Sequence, residues 1–176
     1  LLLVDIQKAF LDKDYPGFKR NNPEAELICG KILEIWRKKK FPIIHVRHSS
    51  TNVDSKLHES NLGFEFNDHV TPVGDEIILK KTVNSAFIGT DLKSILDKSK
   101  TEVLIVVGMT TNHCISTTVR MSGNLGFQTY LISDSTACYN TKGINGEMID
   151  CEIIYQSALA SINDEFATVI NSEKLI

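Results

Sequence analysis

Six short apolar runs alternate with segments of helical periodicity, and this alternation constrains the fold more than any other feature of the chain. The apolar runs cover 1–6, 41–47, 76–80, 103–107, 127–133 and 166–170, and the helical segments cover 23–40, 90–98, 112–125 and 147–162. Continuously apolar strands are typical of parallel sheets that helices cover on both faces. The sequence therefore predicts an α/β fold, a three-layer α/β/α sandwich around a six-stranded, mostly parallel sheet, in one domain over residues 1–176.

Composition narrows the classes of function. The 176 residues are 42% hydrophobic and 23% charged, which is ordinary for a soluble globular domain. A net charge of -3 gives no electrostatic reason to expect nucleic acid or an anionic membrane as a partner. No apolar stretch approaches the length of a transmembrane helix. We therefore expect a small molecule as the binding partner.

The cysteines indicate the cellular compartment. The chain has four of them, Cys29, Cys114, Cys138 and Cys151. They form neither a CxxC pair nor a Cys/His cluster with zinc-finger spacing, and a chain with this much apolar core does not need a disulfide framework. The sequence thus predicts a cytoplasmic protein without a structural metal.

Cys114 lies just past the carboxyl end of the fourth apolar run, in the first turn of the following predicted helix. Free backbone N–H groups and the positive end of a helix dipole favour a thiolate there, and the thiolate is the nucleophilic form of cysteine. The alternative is a small, inert, buried cysteine. The position directly after a strand favours the nucleophile.

Asp5 follows the four apolar residues 1–4 near the end of the first run, and Lys81 follows the third run. In an open α/β sheet of order 3-2-1-4-5-6, ligands bind at the carboxyl ends of the first and fourth strands, where the strand order reverses. Taken singly, Asp5 could equally be a residue that caps a turn. Lys81 taken singly could be an ordinary solvated lysine at a strand end. Together with Cys114 they suit one reaction, since a lysine cation favours a thiolate and a carboxylate can accept and return its proton. Backbone N–H groups before Cys114 would stabilise an oxyanion.

Five further residues are candidates for substrate binding. Arg47 and His48 end the second run, where they could bind a substrate carboxylate or be ordinary polar loop residues. Phe10 and Phe87 could form an apolar pocket wall or belong to the core, and Asn84 presents the same choice.

Three sequence blocks carry a resemblance to a known family. The first is LVDIQKAF at 3–10, the second is Lys81 followed by SAF at 85–87 and GTDL at 89–92, and the third is GMTTNHC at 108–114. With these blocks in this order, the chain resembles the isochorismatase-like cysteine hydrolases, which include nicotinamidases and N-carbamoylsarcosine amidohydrolases. The resemblance covers essentially the whole chain.

The resemblance implies a hydrolase acting on non-peptide C–N bonds, with Asp5, Lys81 and Cys114 as its catalytic triad. It also implies a cis peptide between Met109 and Thr110, and an oxyanion hole formed by the backbone N–H groups of Thr110 and Cys114. The same three-layer fold and strand order are expected, with no cofactor and with assembly as a homodimer or homotetramer.

Two departures from the family patterns narrow the expectation. Metal-binding nicotinamidases carry an Asp-x-His pair after the second strand, and no such pair occurs in this chain, so neither a bound zinc nor nicotinamidase identity is expected. Family members that act on a vinyl ether commonly lack the nucleophilic cysteine, so the presence of Cys114 favours acyl transfer over protonation of an ether. Two alternatives remain open: hydrolysis of a vinyl ether with Asp5 as the general acid, and ligand binding without catalysis.

Overall fold

The structure, a computed structural model, describes residues 1–11 and 19–175. Its main sheet has the order β3-β2-β1-β4-β5-β8, and every neighbouring pair is parallel. A separate antiparallel hairpin contains β6 and β7. The strands are β1 Leu2–Val4, β2 Ile44–His48, β3 Ile77–Lys81, β4 Val103–Gly108, β5 Gln128–Ile132, β6 Thr141–Lys142, β7 Met148–Ile149 and β8 Thr168–Ile170.

Four helices cover the two faces of this sheet: α1 Ala25–Lys39, α2 Leu92–Lys98, α3 Ser116–Asn124 and α4 Cys151–Ala160. Helix α1 buries Ile32 and Leu33 against Leu3 of β1 on one face. Helices α2, α3 and α4 pack on the other face, over a larger apolar cluster that includes Val4 and Val106. The predicted α/β/α sandwich is confirmed. Among the described residues, no helix combines the length and apolar character needed to cross a bilayer.

The segment before the last helix differs from the prediction. The helix predicted to begin at 147 begins at Cys151. Asp150 caps this helix, because its side chain accepts a hydrogen bond from the backbone N–H of Glu152. The residues before it pair as β7 with β6, so the last strand of the sheet is the eighth along the chain instead of the sixth. Two-residue strands without an apolar run give too weak a periodicity to be recognised in the sequence.

The helix after β4 also differs from the prediction. It begins with a π-helical turn, Thr111–Ile115, and continues as α3 from Ser116. Local π-helical geometry is frequent at functional sites. Cys114 lies within this turn.

Gly108 allows β1 and β4 to approach closely at the centre of the sheet. It pairs with Val4 and has a φ of 136°. A Cβ at this position would overlap the carbonyl oxygen of Val4, which accepts a hydrogen bond from the N–H of Met109 at 2.9 Å. Glycine is therefore required at this strand end, and the close approach brings the residue after β1 near the turn after β4.

We expect Gly108→Ala to destabilise the protein by about 3 kcal/mol or more, because both the backbone conformation and the overlap with Val4 oppose a side chain. Gly126→Ala is the matched control, since Gly126 also has a positive φ, 87°, but has open space around its Cα. Its expected cost is about 1–2 kcal/mol. Urea denaturation of both variants measures the free energy of unfolding. Equal losses of this free energy in the two variants would show that the contact with Val4 is unimportant.

Candidate active site

The carboxyl ends of four adjacent strands position the candidate site. Asp5 directly follows β1, His48 ends β2, Lys81 ends β3, and Cys114 lies in the turn after β4. His48 and Lys81 are paired in the parallel register, so their side chains leave the sheet on the same side. The strand order thus brings together residues that are far apart in the chain.

Lys81 lies at the centre of this cluster. Its Nζ donates to Oδ2 of Asp5 at 2.5 Å and to Sγ of Cys114 at 3.3 Å, and it lies 3.3 Å from Nδ1 of His48. Asp5 and Lys81 are fully buried, whereas Cys114 is half-buried. The three residues predicted as a catalytic group are therefore in mutual contact, and the sulfur is the member that a substrate can reach.

Asp5 has an uncommon backbone conformation. Its φ is 54°, and its N–H still donates to the carbonyl of Val46 at 2.8 Å, so the chain turns sharply where strand pairing ends. Aspartate is among the few residues other than glycine that adopt this region. Oδ1 of Asp5 is buried and accepts no hydrogen bond from the described part of the chain, so one oxygen remains available for a proton.

Burial and the Asp5 charge together determine the protonation of the nucleophile. Burial, with the nearby Asp5 carboxylate, raises the pKa of Cys114 to about 12, and the Lys81 ammonium only partly opposes this rise. Burial likewise raises the pKa of Asp5, against the stabilising effect of Lys81 on the carboxylate. Removal of the thiol from water thus opposes the preference for a thiolate that the helix position and Lys81 were expected to give. A thiol in this environment would have to lose its proton before it could act as a nucleophile, and a carboxyl group with a raised pKa is a suitable acceptor.

The cluster contains ligand atoms that often bind metals. A carboxylate oxygen of Asp5, a ring nitrogen of His48 and Sγ of Cys114 all lie within 4.8 Å of one another. The ammonium of Lys81 contacts all three residues and already supplies the positive charge among them. A divalent cation would have to displace Lys81, so the cluster does not fit a resident metal.

The turn before Cys114 contains the peptide bond that the family resemblance singled out. The bond between Met109 and Thr110 is cis, and both residues are buried. The Thr110 hydroxyl lies 3.0 Å from Nδ1 of His113. In the next residue, the backbone N–H of Thr111 donates a hydrogen bond to the carbonyl of Ala137 at 3.0 Å. The turn is thus held by backbone and side-chain contacts.

The structure separates the two candidates at the end of β2. His48 faces Lys81, whereas alternation along the strand places Arg47 on the opposite face. The Arg47 guanidinium lies 4.2 Å from the ring centre of Phe64 and 5.4 Å from that of Phe66. This placement does not support contact between Arg47 and a substrate at Cys114.

The other three substrate-binding candidates lie outside the cluster. Phe87 is buried and stacks on Phe127 with ring centres 6.0 Å apart, as the core alternative anticipated. Phe10 is buried beside Tyr139, whose hydroxyl donates to the Phe10 carbonyl at 2.5 Å. Asn84 is exposed. A role in substrate binding stays a prediction for all three.

Gln7 is a structural member of the site for which no role was predicted. Its Nε2 donates to the carbonyls of His48 and Phe64 at 3.0 and 2.9 Å, and its Oε1 accepts from the N–H of His48 at 2.8 Å. The side chain is completely buried. The one available signal was a glutamine two residues after Asp5, directly after the apolar Ile6, since a buried amide requires several partners.

Comparison with known proteins identifies the family. Residues 1–174 match the family model described as the isochorismatase domain. The chain belongs to the isochorismatase family. This protein is 46% identical over 176 residues to YrdC, an uncharacterized isochorismatase family protein of Bacillus subtilis, and the alignment covers 100% of this chain and 93% of YrdC.

Two further isochorismatase relatives bear on fold and activity. A crystal structure from Chromobacterium violaceum, described as a hydrolase of the isochorismatase family, matches with a TM-score of 0.94 at 34% identity, over 99% of this chain and 89% of that one. Nicotinamidase 3 of Arabidopsis thaliana is 26% identical over 193 aligned positions, covering 99% of this chain and 85% of the plant protein. The protein is thus an isochorismatase-family hydrolase.

We expect Asp5→Asn to lower the pKa of Cys114 from its value of about 12, because the variant removes a negative charge while Lys81 remains. Thiolate ultraviolet absorbance, measured against pH and corrected with Cys114→Ala, gives this pKa directly. Cys29 and Cys138 are fully buried with pKa values that burial raises, so they add little to the signal. A wild-type Cys114 that titrates near the ordinary thiol value of about 8.5 would contradict this account of the site.

Proposed function

We propose that this protein hydrolyses a small amide, or a related C–N bond, through a thioester at Cys114, with Asp5 moving the proton and Lys81 holding the reacting groups in place. One observation carries the proposal: the buried Lys81 ammonium contacts a carboxylate oxygen of Asp5 and the sulfur of Cys114 at the same time. A base and a nucleophile held this close are characteristic of covalent catalysis.

In the first half of the reaction, Asp5 accepts the thiol proton as Sγ of Cys114 attacks the substrate carbonyl carbon. The raised pKa of Asp5 makes this transfer from a protonated thiol less unfavourable. The carbonyl oxygen becomes an oxyanion, which the N–H groups of Thr110 and Cys114 would stabilise. Asp5 then gives the proton to the leaving nitrogen, the C–N bond breaks, and the acyl group remains on sulfur.

Water completes the reaction. Asp5, again a carboxylate, takes a proton from a water molecule while the oxygen of that water attacks the thioester carbon. The C–S bond breaks, the sulfur leaves with the proton that Asp5 returns, and a carboxylic acid is released. The ammonium of Lys81 stays charged throughout and favours the anionic forms of its neighbours. No step needs a cofactor.

The relatives give the proposal a substrate class. Nicotinamidase 3 is named for an amide substrate, and its alignment spans nearly the whole of this chain. The absence of an Asp-x-His pair argues against nicotinamide itself as the substrate of this protein. We therefore propose a small carboxamide or ureido compound that reaches the half-buried sulfur.

We expect Cys114→Ala to lower the turnover of such an amide at least about a thousandfold, because no thioester can form. Asp5→Asn is expected to lower it by about a hundredfold or more through loss of the proton acceptor. A library of small amides identifies the substrate, and intact-mass spectrometry after rapid quenching detects the acyl adduct on the wild type. Cys151→Ala is the control, since Cys151 is buried at the start of α4 and outside the site. Turnover that persists in Cys114→Ala would rule out the thioester.

A second reaction is favoured by one observation, the raised pKa of Asp5, which keeps a carboxyl group available as an acid. In this case Asp5 would protonate a vinyl ether, and Cys114 would have no covalent role. The two variants separate the reactions, because vinyl-ether hydrolysis requires that Asp5→Asn be inactive and Cys114→Ala active on that substrate.

A further inference from the structure

His48 is half-buried and contacts the lysine of the proposed catalytic group. It is the last residue of β2 and pairs in register with Lys81, the last residue of β3. Its Nδ1 lies 3.3 Å from Nζ of Lys81. The same Nζ donates to Asp5 and Cys114. A lysine ammonium has three donors, and these three neighbours use all of them.

This contact fixes the protonation of the histidine. Lysine offers only donors, so Nδ1 of His48 has to be the acceptor, and in the neutral ring the proton lies on Nε2. Burial and the charge of Lys81 lower the pKa of His48 to about 4, while a hydrogen bond to the backbone of Val83 opposes the shift. The ring is therefore a neutral acceptor at physiological pH.

The backbone of His48 is fixed independently of its ring. The buried amide of Gln7 accepts from the His48 N–H at 2.8 Å and donates to its carbonyl at 3.0 Å. Gln7 lies two residues after Asp5, so one short segment carries the proposed base and also holds the strand end from which the imidazole extends. Gln7 thus holds the backbone of His48 in addition to the strand pairing with Lys81.

We propose that His48 is a positioning residue that keeps the Lys81 ammonium between Asp5 and Cys114. The inference rests on the proposed role of Lys81. The third acceptor matters most in the acylated state, because a thioester sulfur accepts hydrogen bonds poorly. Asp5 and His48 then hold the ammonium until water releases the acyl group. The ring nitrogen that contacts Lys81 is not free to bind a substrate carboxylate, which was one of the two roles that the sequence left open for His48.

The test measures how fast iodoacetamide alkylates Cys114 at about pH 8, which needs no substrate. In His48→Leu a methyl group replaces the acceptor Nδ1, and we expect alkylation to slow by about tenfold, since a hydrogen bond to a charged group is lost. In His48→Asn the side-chain oxygen occupies the position of Nδ1, and the rate is expected to stay within about threefold of the wild type. His58→Leu controls for loss of a histidine, because His58 bonds Ser60 within its own loop.

A double-mutant cycle distinguishes positioning from general damage to the fold. If His48 acts through Lys81, His48→Leu slows alkylation in the wild type but changes it by less than about twofold in the Lys81→Met background. A structural role would slow alkylation equally in both backgrounds. Equal effects, or identical rates for the leucine and asparagine variants, would overturn the proposal.

A second measurement covers the case in which the Lys81 variant fails to fold. Nitrogen-15 NMR of labelled histidines in the wild-type protein reports the tautomer, and His48→Asn assigns the signal. We expect a neutral ring with Nδ1 hydrogen-bonded as an acceptor, and a proton on Nδ1 would overturn the proposal.

Neither alkylation nor NMR depends on hydrolysis of a substrate. If no amide in the library is hydrolysed, the proposed reaction is contradicted, while the positioning role is still decided by alkylation and NMR.

Discussion

The site depends on one buried cation. Lys81 is the largest of the fully buried side chains, and its ammonium is held by the Asp5 carboxylate at 2.5 Å. Removing such a pair from water costs several kcal/mol per ion, which contact between the charges only partly offsets. A buried ion pair is therefore weak evidence for stability, and its contact with the half-buried sulfur of Cys114 is consistent with the proposed chemical role.

The sheet makes this arrangement possible. Parallel strands end at the same edge, and the order of the central strands brings the residue after β1 beside the turn after β4. Gly108 permits the close approach, and the positive φ of Asp5 turns its carboxylate away from the strand direction. The hydrogen bonds of Gln7 fix the end of β2 against the same segment. Precise placement thus comes from backbone contacts next to the reacting groups.

Much of the fold and the central contacts of the site could be predicted from the sequence. Continuous apolar runs marked the strands of the sheet, and Asp5, His48 and Lys81 at the ends of the first three runs marked an edge where side chains converge. The hairpin of β6 and β7 could not be predicted, because its two-residue strands carry no periodic signal. Arg47 and His48 could not be separated either, since their faces depend on the register of β2.

The protonation state of the cysteine was beyond the sequence for a different reason. Helix position and a nearby lysine favour a thiolate, but burial and the Asp5 charge act in the opposite direction. Their balance depends on how deeply the sulfur lies and on its distance from the carboxylate. Both are properties of tertiary packing. The same packing determines that the ring of His48 is neutral and contacts Lys81.

Neutron diffraction from deuterated crystals would test the central claim most directly, because it locates the protons of the cluster. The account requires a deuteron on Sγ of Cys114, three on Nζ of Lys81 directed at Asp5, His48 and Cys114, and none on Nδ1 of His48. A bare sulfur, or an ammonium turned away from Asp5 and Cys114, would contradict it.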